Sequence, residues 1–77
     1  MTGVIAWLRG LLVPGARLRD AFAAAEVGRL HEVFPVLAKA ARKGDHRAEY
    51  WVGKAYLEAR GVPPSRATAT QWLTRAA

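Results

Sequence analysis

The chain contains no cysteine. That excludes disulfide staples and thiolate metal sites, and it leaves no redox mark of a compartment. Histidine is almost as scarce. His31 and His46 are the only two, and they do not stand at the i, i+4 spacing that metal-binding helices use. No metal or cofactor is expected. Long apolar runs are also missing. Val4–Leu8 is apolar, Arg9 interrupts, and Leu11–Val13 comes after it, far short of the ~20 residues of a membrane span. The same stretch lacks the early Lys or Arg of a secretory signal. The cytoplasm is therefore the expected compartment, with export or a membrane-peripheral position left open. The carboxylates are Asp20, Glu26, Glu32, Asp45, Glu49 and Glu58, and they form no catalytic spacing. Gly61-Val62-Pro63 lacks the Gly-rich run with Lys and Ser or Thr of a phosphate loop. No catalytic residue is assigned, and the chain reads as a non-enzyme.

What is present is alanine and arginine. At 77 residues, 52% of them hydrophobic, the chain makes at most one small domain. Alanine is the largest part of that apolar fraction, so little surface is buried per residue and stability is marginal. The net charge is +6. A basic chain suits acidic partners, nucleic acid or anionic membrane. The basic residues are scattered from Arg9 to Arg75 with no block, which reads as a solvated surface; no specific nucleic-acid partner is expected.

The apolar spacing predicts helices throughout. Val4, Leu8, Leu11 and Leu12 share one side of a short helix over residues 3–12, ended by Pro14-Gly15. It reads as a cap over the first hairpin; lying in a membrane interface is the alternative. Leu18, Ala21, Phe22 and Ala25 mark a second helix from about Ala16 to Val27, broken at Gly28. Leu30, Val33, Phe34, Leu37 and Ala41 mark a third, to Arg42. Pro35 inside it predicts a kink or a late start. Asp45 is suited to cap a fourth helix, whose inner stripe is Ala48, Val52, Ala55, Tyr56 and Ala59. Gly53 in mid-helix costs about 1 kcal/mol relative to alanine, a cost that makes sense where another helix crosses closely. Gly61 is placed to terminate this helix, and Pro63 and Pro64 prevent its continuation. Ser65 then caps a fifth helix carrying Ala69, Trp72, Leu73 and Ala76 on one face. Helix, tight break, helix is an αα-hairpin.

The chain also partly repeats itself. Val36-Leu37-Ala38-Lys39-Ala40-Ala41 aligns with Trp72-Leu73-Thr74-Arg75-Ala76-Ala77. Periods of about 20–50 residues mark solenoids and arrays. With Ala48, Gly53, Tyr56, Gly61, Val62, Pro63, Ala67, Ala69, Trp72, Ala76 and Ala77 in this order and spacing, the chain resembles the Sel-like repeat (suppressor/enhancer of lin type), a relative of the tetratricopeptide repeat. Leu37, Ala41, Gly44 and Asp45 fit the segment that precedes it. The match covers residues 44–77 well and 20–43 loosely. Ala59 stands where the family has the first glycine of G-x-G, and Ser65 where it has aspartate. Val52 replaces its leucine.

The resemblance implies an all-α helical-hairpin repeat, an α/α solenoid with a right-handed superhelix. The organisation expected is an N-terminal helix and Pro-Gly turn over 1–15, a degenerate hairpin over 16–43 and a Sel-like repeat over 44–77. The family's use implies an adaptor or scaffold that binds another protein on a concave face lined by the first helix of each hairpin. Arg47, Tyr50, Trp51, Lys54 and Glu58 are the candidate contacts. Tyr56 and Trp72 belong to core stripes; Trp51, on the flank of its stripe, either packs on the preceding hairpin or stands exposed as an interface anchor. An uncovered last hairpin predicts self-association or further repeats beyond Ala77. A basic nucleic-acid binder, a membrane-peripheral module and, last, a hydrolase are the alternatives.

Overall fold

The computed structural model describes residues 14–77, and over these the chain is all-α, without a strand. The helices are α1 (Pro14–Glu26), α2 (Leu30–Arg42), α3 (His46–Glu58) and α4 (Arg66–Ala76). Each packs on the next in chain order. The helix expected over residues 3–12 lies outside the described residues.

Pro14 and Gly15 are helical and belong to α1, two residues before the start expected at about Ala16; the break expected between them and a helix over residues 3–12 lies outside the described residues. α1 ends before Gly28, which adopts φ +88°. There the amides of Gly28 and Arg29 return to the carbonyls of Ala25 and Ala24. Gly44 (φ +95°) ends α2 in the same way, with its own amide and that of Asp45 bonded to Ala41 and Ala40. This paired bonding satisfies carbonyls that a helix end otherwise leaves open.

Asp45 caps α3 by accepting from the Ala48 amide at 2.8 Å. Ser65 caps α4 by accepting from Thr68 at 3.2 Å. α2 does not start late, since it runs from Leu30 straight through Pro35. Proline has no amide to donate to the carbonyl four residues back, here that of His31. The loop after α3 lies against this carbonyl. A side chain at Gly61 would come within 3.1 Å of both the His31 Cα and its oxygen.

The end of α3 departs from expectation. The left-handed terminator is Ala59 (φ 57°, ψ 47°), not Gly61, and the Arg60 amide bonds back to Ala55. Gly61 (φ +85°) instead turns the loop after α3 onto α2. The Ser65 amide ties that loop to the Tyr56 carbonyl at 3.0 Å. Val62 packs on the core, while Pro63 is exposed.

The core is a seam of small residues. Ala21 and Ala25 of α1 meet Leu30, Val33, Leu37, Ala38 and Ala41 of α2, and Ala48, Val52 and Ala55 of α3. Leu37 and Val52 are its largest fully buried side chains. Phe34 and Tyr56 pack edge to face across α2 and α3, with centroids 5.8 Å apart. Trp72 is half-buried and rests on the same core. At Gly53, α4 crosses α3 so closely that an added Cβ would stand 2.7 Å from Leu73 Cγ. Alanine and glycine let helix backbones approach, and dispersion at that separation offsets the small area each residue buries.

Candidate interaction groove

One turn of α3 after another delivers Arg47, Trp51, Lys54 and Glu58 to a single flank, since residues three and four apart share a helix face. Tyr50 lies beside them. Trp51, Lys54 and Glu58 form one wall of a groove of about 190 Å³. The opposite wall is Ala25 and Glu26 of α1, with Gly28 and Leu30 at its end and Arg60 at its mouth. The groove therefore lies between α1 and α3.

Of the five sequence-predicted contact residues, three line the groove and two frame it. Trp51 is half-buried and packs on the core, so it takes part in the seam and in the groove wall together. Tyr50 is 43% exposed. The two rings meet edge to face at 5.3 Å. The Lys54 ammonium stands 5.4 Å from the Trp51 ring and 5.9 Å from the Tyr50 ring. Arg47 is already engaged within the chain. It donates to Glu26 at 2.7 Å and covers the Phe22 ring at 4.4 Å, locking α3 to α1. Glu58 pairs with Arg60 at 3.7 Å. Among the described residues, Lys54 has no carboxylate within ion-pair distance.

Sequence reasoning missed the far wall. Glu26, Leu30 and Arg60 belong to the groove through packing between helices, and no local pattern marks them. It also missed Glu49, which is 2% exposed. His46 Nδ1 meets its carboxylate at 2.8 Å, and Arg75 of α4 faces it at 3.4 Å. Arg75 also covers the Trp72 ring at 4.7 Å. A buried carboxylate persists only when paired, and this one joins the start of α3 to the last turn of α4.

A second concavity, about 330 Å³, lies on the first hairpin and is lined by Ala23, Ala24, Val27, Val33 and their neighbours, with no residue of α3 or α4. Arg29 and Glu32 at its edge form an ion pair. The hydrogen bond from Arg29 holds the Glu32 carboxyl below its usual range, and that same bond raises the arginine.

No helix among the described residues is long and apolar enough to cross a membrane. The chain matches no family model, no curated protein and no solved structure in these comparisons.

Proposed function

We propose that the chain is a protein-binding module built from two successive helical hairpins of the Sel-like type, α1–α2 and α3–α4, with the groove between α1 and α3 as its binding face. The observation that carries this reading is the α1–α3 groove itself, whose wall carries the half-buried Trp51 indole and the Lys54 ammonium, with the exposed Tyr50 ring packed edge to face on that indole. Aromatic side chains are enriched at the centres of interfaces because they bury large area at little entropic cost. The groove's volume of about 190 Å³ falls below the ~300 Å³ at which small-molecule pockets begin. It suits one inserted side chain of a larger partner.

The hairpin reading is supported by two related offsets. α2 and α4 begin 36 residues apart and α1 and α3 end 32 apart, the difference being the longer second loop. These offsets place Ala21 on Gly53 and Leu37 on Leu73. The pair of small residue and leucine at which α4 crosses α3 therefore has a counterpart in the first hairpin.

The test compares affinity capture by the full chain with capture by a Trp51→Ala, Lys54→Glu variant whose helicity is checked by circular dichroism. Partners retained by the parent and lost by the folded variant are expected. Equal capture by both defeats the assignment of this face.

A further inference from the structure

We propose that the α1–α3 groove selects an acidic peptide segment, one carboxylate binding Lys54 while a neighbouring apolar side chain of the same segment enters the groove against Trp51 and Leu30. This rests on the protein-binding reading and names the chemistry of the partner. The argument is one of charge balance. Glu26 is paired with Arg47 at 2.7 Å and Glu58 with Arg60 at 3.7 Å. Among the described residues, Lys54 alone of the charged groups lining the groove lacks an opposite charge within ion-pair distance. Its ammonium stands near two aromatic rings, which attract the cation and leave its N–H donors open to water or to a partner's acceptor oxygen. A carboxylate supplies that acceptor.

The flanking groups decide between kinds of anion. A nucleic-acid strand carries a phosphate at every step and needs a continuous positive track. Along this groove it would pass Glu26 and Glu58, one on each wall. A single carboxylate brings one charge, which Lys54 answers, and Glu26 and Glu58 are already paired with Arg47 and Arg60. The apolar part of the groove, made by Ala25, Leu30 and Trp51, has room for one side chain, so the segment presents an acidic residue close to a Leu, Met or Phe.

The experiment selects random twelve-residue peptides displayed on phage against the full chain, then measures the selected peptides by fluorescence anisotropy. Enrichment of Asp or Glu within one or two residues of a large apolar side chain is expected. Lys54→Met should weaken those peptides by roughly three- to tenfold, the range of a partly exposed charge-assisted contact, and Lys54→Arg should restore them. Replacing the peptide's acidic residue by its amide should cost the same, with little further loss in Lys54→Met. Selected peptides without an acidic preference, or affinity indifferent to Lys54→Met, overturn the carboxylate assignment while leaving the groove a peptide site if Trp51→Ala still abolishes binding. Displacement of the peptides by an oligothymidylate also overturns it, in favour of nucleic acid. If no peptide is selected, this inference falls, and the capture comparison with the groove variant decides the broader reading separately.

Discussion

Replacing Gly53 by alanine sets two effects of known sign against each other. In an isolated helix the change is favourable by about 1 kcal/mol, because glycine loses more backbone freedom on folding. In this chain the new methyl would stand 2.7 Å from Leu73 Cγ, 2.8 Å from its Cδ2 and 3.2 Å from the Ala69 carbonyl oxygen. The leucine is half-buried and can yield in part, whereas Ala69 is buried in the seam. Overpacking of this kind costs about 1–3 kcal/mol, and the crowding should exceed the propensity gain by about 1 kcal/mol. For a domain of this size that lowers Tm by about 4–8 °C. Thermal and urea unfolding followed by circular dichroism will measure it. The decisive arm repeats Gly53→Ala in a Leu73→Ala background. With the leucine gone the propensity term prevails, and the same substitution should raise stability. A double-mutant cycle isolates that coupling. If Gly53→Ala stabilises the parent chain, or has the same effect in both backgrounds, α3 and α4 do not meet as described.

Ala59 occupies the left-handed region (φ 57°), where a residue with a Cβ pays about 1–2 kcal/mol. Ala59→Gly should stabilise by up to ~1 kcal/mol after glycine's greater freedom in the unfolded chain is subtracted, and an unchanged or lower urea midpoint contradicts the assignment. Arg75→Ala leaves Glu49 buried with His46 as its remaining partner, so a loss of about 1–3 kcal/mol is expected, larger than that for Glu49→Gln, which removes the buried charge itself. Equal losses from the two variants would show that the pairing does not govern the effect. The folded-state pKa of Glu32 is lowered by its hydrogen bond with Arg29. Its contribution is therefore present above the usual carboxylate range and lost as pH falls through the folded value. Glu32→Gln should show a smaller drop in urea midpoint between neutral and acid pH than the parent, and identical pH profiles would dispose of the idea.

The places of the helices were legible because their signals are local. Asp45 and Ser65 precede apolar stripes, glycines stand just past the helix ends at 28 and 44, and paired prolines bar continuation after Gly61. Gly53 was legible for a different reason, its cost in mid-helix implying a close approach. The terminator of α3 was misread because glycine at 61 is the ordinary choice for φ > 0. Here the turn onto α2 demanded that glycine, and the left-handed residue fell to Ala59.

By itself the sequence determined the all-α character of the described residues, the N-caps Asp45 and Ser65 and the flank of α3 that carries Arg47, Trp51, Lys54 and Glu58, since all of these stem from spacings of a few residues along one backbone. Tertiary structure alone decided that Arg47 engages Glu26 and Phe22, that Glu49 is buried beneath Arg75, and that Lys54, in a groove of mixed polarity, has no counter-charge among the described residues. Those outcomes depend on distances between residues tens of positions apart, which packing of the alanine seams sets and no local pattern encodes.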